Sequence, residues 1–125
     1  MANKITQTIT LKVAGSASTA SVSSTTNVDQ VGTNYTEQTQ VITESAPVQL
    51  DIGDSIPEGQ LGYLLVKNLD AANPIDIATD NGMVNTIATI AANTGSTVSS
   101  PNGTTTLYAK ATTADVQIVF LAIQT

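Results

Sequence analysis

Residues 5–13 read I-T-Q-T-I-T-L-K-V. Ile5, Ile9, Leu11 and Val13 share one parity, and Thr6, Thr8, Thr10 and Lys12 share the other. A period of two sends the two sets to opposite faces of a pleated strand. The same alternation of branched residues returns along the chain, broken by Gly, Pro and Asn. That pattern constrains the fold more than any other feature: it asks for half-buried strands joined by turns. The residue types agree, because Val, Ile and Thr pack well on a pleated surface, while Ser and Asn favour turns.

The strand at 5–13 is expected to pair within its own sheet, with projection onto a neighbour as the alternative. Residues 14–34 break the pattern. They form a Gly/Ser/Ala/Thr stretch with only Val22, Val28 and Val31 as apolar anchors of any size. The stretch reads as a long surface loop or weak strand, or as an extended arm laid over a partner, since long loops of this kind are often functional. Alternation resumes at 35–44 and again through Val48, Leu50 and Ile52, with Pro47 between the two runs. The segment 54–59 is a turn in which Pro57 fixes φ and Gly59 can take a positive φ.

G-Y-L-L-V-K-N-L (62–69) is the most apolar segment and reads as a central strand, with Leu64 and Val66 on one side and Tyr63 and Leu65 on the other. Asp80-Asn81-Gly82 carries the residues of a tight hairpin turn. Residues 83–91 fit a helix less well than a strand, given Thr86 and Thr89. Asn93-Thr94-Gly95 and Pro101-Asn102-Gly103 mark further turns, and V-Q-I-V-F-L-A-I (116–123) is a buried closing strand. Turn signals recur at short intervals throughout. The expected fold is all-β, an antiparallel β-sandwich or jelly roll of about eight strands, in a single domain over 1–125.

The composition narrows the chemistry. Charged residues are 11% of the chain and the net charge is −6, against roughly 25% charged in a typical soluble domain. Four Lys and no Arg do not make a phosphate-tracking surface, so neither nucleic acid nor an anionic membrane is an expected direct partner. There is no His and no Cys. Imidazole or thiolate catalysis, a Ser-His-Asp triad and an ordinary zinc site are therefore out of reach. No glycine-rich phosphate loop is present. No apolar run of signal-peptide or membrane-spanning kind appears either.

Carboxylates remain. Asp51, Asp54 and Glu58 are close in sequence, as are Asp76 and Asp80. A glycosidase pair sits in a cleft that usually offers aromatic platforms, and this chain has no Trp. A calcium site at Asp51, Asp54 or Asp80 is chemically open, but no D-x-[DN]-x-[DN]-G loop supports it. These acids read as solvated, turn-forming residues. The N-x-[ST] matches at Asn34 and Asn102 read as chance in a Thr-rich chain. No catalytic, cofactor-binding or metal-binding residue is expected.

Tyr63, Tyr108 and Phe120 lie in strong strand segments and read as packing residues. Tyr35 follows the small-residue stretch and is the ring most expected at the surface, where Tyr favours interfaces. The expected contact surface therefore comprises Ser16, Ser18, Val22, Val28, Val31 and Tyr35.

The run G-Y-L-L-V-K-N-L-D-A-A-N-P-I-D-I-A-T (62–79) resembles a recurring pattern in small virion proteins of tailed bacteriophages. T-T-L-Y-A-K-A (105–111) with the V-Q-I-V-F-L-A-I strand resembles the closing part of that pattern. Asn93-Thr94-Gly95 occupies the place where such proteins carry a Pro-Gly turn, here without the Pro. The likeness covers about 61–123. It implies a virion structural protein made in the host cytoplasm, of the capsid cement or decoration type. Such a protein sits on the outer capsid surface at capsomer junctions, bound to the major capsid protein and often trimeric. Alternatives are a tail, fibre or baseplate component, bound to another virion protein, and a receptor- or carbohydrate-binding module.

Overall fold

The computed structural model describes residues 3–15, 19–30, 34–52, 56–57, 59–99 and 106–124. The fold is all-β, and no helix occurs among the described residues. The chain divides into two compact units, Met1–Thr33 and Asn34–Thr125.

The first unit is a hairpin. Strand β1 (Asn3–Ala14) pairs antiparallel with β2 (Thr19–Gln30) along its whole length, from Asn3 opposite Gln30 to Ala14 opposite Thr19. Within 14–34, read as a surface loop, a weak strand or an arm, residues 19–30 form a strand. Its hydroxyl residues gain a reason in the pairing. Thr6 Oγ1 donates to Asn27 Oδ1 at 2.9 Å, Thr8 and Thr25 hydroxyls meet at 3.3 Å, and Thr10 and Ser23 hydroxyls at 3.0 Å. Cross-strand hydroxyl pairs of this kind are what a half-polar ribbon uses for register.

The second unit holds eight strands: β3 (Tyr35–Ile42), β4 (Val48–Gln49), β5 (Leu61–Asn68), β6 (Ile75–Ala78), β7 (Thr86–Ile90), β8 (Gly95–Ser99), β9 (Tyr108–Ala111) and β10 (Val116–Gln124). They form two four-stranded antiparallel sheets, ordered β3-β10-β5-β8 and β4-β9-β6-β7. Successive strands alternate between these sheets except at β6–β7, the one step that stays within a sheet. One buried cluster draws on both sheets: Ile42, Leu64, Val66, Ile118 and Phe120 from the first, and Ile75, Ile77, Ile90, Ala109 and Ala111 from the second. Every second residue of β10 from Val116 to Gln124 is buried, as its alternation requires.

Polar side chains fasten the ends. Asn68 is fully buried at the end of β5. Its Nδ2 donates to Asn73 O at 2.8 Å and Ile90 O at 3.2 Å, and its Oδ1 accepts Asp70 N at 2.8 Å. Because Ile90 ends β7, this amide ties the two sheets. Gln124 does similar work at Asn34, the first residue of the unit. Its Oε1 accepts Asn34 N at 3.2 Å, its backbone N donates to Asn34 O at 3.0 Å, and its Nε2 donates to Gln60 Oε1.

One turn and one strand depart from expectation. The loop after β6 is wider than a two-residue hairpin, and Met83 takes the positive φ of 56° in place of Gly82. Asp80 explains this, because its carboxylate captures Asn85 N at 2.7 Å and Val84 N at 3.0 Å. After Pro47 only Val48–Gln49 is a strand, although Leu50 and Ile52 are buried. At Gly59, φ is 78°, and Gln60 N closes the turn on Pro57 O at 3.0 Å.

Candidate surface for assembly contacts

The hairpin sorts its residues by face. One face carries Ile5 opposite Val28, Gln7 opposite Thr26, Ile9 opposite Ser24, Leu11 opposite Val22 and Val13 opposite Ala20. The other carries the hydroxyl pairs together with Lys4, Lys12 and Asp29. The first face thus has no charged residue. Ile5 is buried, but Ile9 is 55% exposed, Leu11 72%, Val13 59% and Val22 72%. The alternation at 5–13 had implied a covered apolar face. Beyond Ile5 that face is open, because the two-stranded sheet has no second layer of its own.

The eight-stranded unit has an open apolar row as well. On the outer face of its first sheet, Tyr35, Ile123 and Tyr63 lie side by side, followed by Glu37, Leu121 and Leu65. Tyr35 is 66% exposed and Leu65 45%, while Ile123, Leu121 and Tyr63 are half-buried. Tyr35 stands at the first position of β3.

The expected contact residues therefore split between the units. Val22 and Val28 share the hairpin's apolar face, Val22 exposed and Val28 half-buried. Tyr35 belongs to the other unit. Ser16, Ser18 and Val31 lie outside the described residues. Sequence reading missed Ile9, Leu11 and Val13, which it assigned to a core, and Leu65, Leu121 and Ile123, which it placed in strands without asking which face was open. The signal existed for Leu65, whose parity opposes that of Leu64 and Val66.

The acidic residues act as loop builders. Asp70 accepts the backbone N–H groups of Ala72 and Asn73, both at 2.7 Å, and the Asn73 side chain at 3.1 Å. These bonds, Ala72 first, hold its pKa below the usual carboxylate value, partly offset by desolvation. Asp80 is lowered in the same way, chiefly by Asn85 N and then Val84 N. Asp76 accepts Thr89 Oγ1 at 2.6 Å, and Asp51 is exposed. Asp54 and Glu58 lie outside the described residues. Among the described residues, no group of three or more acidic, His or Cys side chains converges as a metal site would need. A shallow open depression is lined by Glu44, Asp76, Met83, Thr86, Lys110 and Thr112, with Asp76 opposite Lys110 across the β6–β9 ladder.

Comparison with protein-family models, with curated proteins and with solved structures finds no match to this chain.

Proposed function

We propose that the chain is a non-enzymatic virion structural protein of the capsid cement type. In this reading the eight strands of the second unit form a β-sandwich body that sits on the outer capsid surface at capsomer junctions. The partners are the major capsid protein and further copies of the chain, three together. The carrying observation is the pair of uncovered apolar surfaces, one on the hairpin and one on the first sheet. An apolar face left open on a small domain marks an interaction site. The sandwich reading is supported by the two four-stranded sheets that share one buried cluster. Few charges and many hydroxyls suit a protein that holds neighbours by many weak contacts, which gain from being made several at a time.

The test uses shells assembled without this protein. Purified protein is expected to bind them and to raise their melting temperature. Absence of binding would remove the cement reading. Immunogold label on the tail or baseplate of intact particles would move the same body to that location.

A further inference from the structure

We propose that Asn81 is a modification site, converted without an enzyme to aspartate or isoaspartate, and that the loop built around Asp80 sets the rate of that conversion. The site is independent of the proposed function, because its chemistry needs only water and the chain itself.

Asn is among the thermolabile residues, and a glycine after it leaves the attacking nitrogen unshielded. Here the Gly82 nitrogen gives up its proton to base and bonds to Asn81 Cγ. The bond from Cγ to the side-chain nitrogen breaks. That nitrogen takes up a proton and leaves as ammonia, and a cyclic imide remains. Water opens the imide at either carbonyl, which leaves a carboxylate at position 81 in a normal or a lengthened backbone. Asn81 and Gly82 are both exposed, so water and base reach them. The loop also favours the glycine that makes the attack easy, since a Cβ at Gly82 would stand 3.1 Å from Asp80 Oδ2.

The closed loop opposes the same step. Asp80 O accepts Met83 N at 3.1 Å, across Asn81 and Gly82. Neither of those two residues has a positive φ. A bonded turn of that kind is type I, with ψ of about −30° at its first central residue. Imide closure needs the Gly82 nitrogen swung against Asn81 Cγ, a rotation about that ψ which pulls Met83 N away from Asp80 O. The rest of the loop resists the rotation. The Asp80 carboxylate accepts Asn85 N at 2.7 Å and Val84 N at 3.0 Å, and Thr86 Oγ1 donates to Met83 O at 3.3 Å. Gly82 N is a further donor to the carboxylate, and a proton held by an anion is harder to lose. The imide therefore forms from the open loop, at a rate that follows how often the loop opens. Once formed, the new carboxylate adjoins Asp80 in sequence and repels it, which works against closure.

The full chain is incubated at mildly basic pH, folded and unfolded in urea, and the amide-to-acid conversion is followed by mass spectrometry. Fragmentation separates position 81 from Asn102, which also precedes a glycine. Conversion at position 81 is expected to be at least about tenfold slower in the folded chain than in the unfolded one. Folded Asp80→Ala is expected to lose most of that protection. Met83→Asn, which relieves the positive φ and keeps the Asp80 bonds, is expected to convert no faster than the parent. Equal rates in the folded and unfolded parent would overturn the proposal. So would a folded Asp80→Ala chain no faster than the parent, or a Met83→Asn chain that outpaces it.

Discussion

At the scale of single residues, the chain's stability turns on polar side chains where its sequence is most apolar. Asn68 follows Leu64 and Val66 on the buried parity of β5 and satisfies three backbone groups, two in the loop after β5 and one at the end of β7 in the other sheet. Replacing it by Leu leaves Asn73 O, Ile90 O and Asp70 N without this partner. Leaving a buried polar group unpaired costs about 1–3 kcal/mol, and Asn68→Leu is expected to cost the body about 2–3 kcal/mol in urea unfolding. Apolar gain at that position outweighing the loss would show up as an unchanged midpoint. The parity was legible in the sequence. The partners were not, because Ile90 lies 22 residues away on the other sheet.

Met83 is the converse case, a residue in the wrong conformation for its type. Its φ of 56° is a region that Asn enters readily and a long side chain does not, at a cost of roughly 1–2 kcal/mol. Met83→Asn is expected to raise stability by up to about 1 kcal/mol in the same assay. The Asp-Asn-Gly signal pointed to Gly82 because the capture of Val84 N and Asn85 N by Asp80 cannot be read from local propensity.

That capture also sets a pH dependence. Asp70 and Asp80 both have pKa values lowered below 3.8 in the fold. Their contribution is therefore complete above that unfolded value and is lost as pH falls through the lower folded value. Asp80→Ala is expected to melt below the parent protein at neutral pH, with the gap closing as the pH drops under about 4. A gap constant across pH would mean that the carboxylate charge plays no part in holding the loop.

At the scale of elements, β1 and β2 show how much a sequence discloses and where it stops. The alternation over 5–13 disclosed a strand but not its surroundings. An apolar parity tells which face seeks cover, and says nothing of whether the same chain supplies it. Over 19–30 the signal is weaker still. Val22, Val28 and Ala20 share a parity, yet Ser24 and Thr26 interrupt it, and the other parity is hydroxyl or amide throughout its middle. Those residues make sense only when laid against Thr6, Thr8 and Thr10, since register is a property of a pair. In the body, turn residues marked most strand ends, but the sheet order was hidden. Consecutive strands alternate between sheets, so only β6–β7 pair as sequence neighbours. Deleting 16–26 removes most of β2. The body has its own core, so the truncated chain is expected to keep cooperative melting. Shell occupancy is expected to fall sharply, as measured by co-sedimentation. Full occupancy after the deletion would relieve the hairpin of any role in assembly.

At the scale of the whole molecule, the two units differ in what protects them. The body encloses Phe120, Ile118, Ile77 and their neighbours at 1% exposure or less. A residue such as Phe120 truncated to Ala typically costs about 3–5 kcal/mol. The hairpin has only its ladder and a largely exposed apolar face. Local stability then follows burial, and regions with few buried apolar contacts open first. In the assembly of the proposed function, hairpin and body amides are both expected to resist hydrogen exchange. In a Leu11→Asp, Val22→Asp variant, amides along β1 and β2 are expected to exchange close to the rate of an open chain, while those of β5 and β10 keep their protection. This separates a hairpin that is ordered by its partners from one that is ordered by itself. Equal protection of β1 and β5 in that variant would mean the second, and the open face of Leu11 and Val22 would then need no partner to explain why it persists.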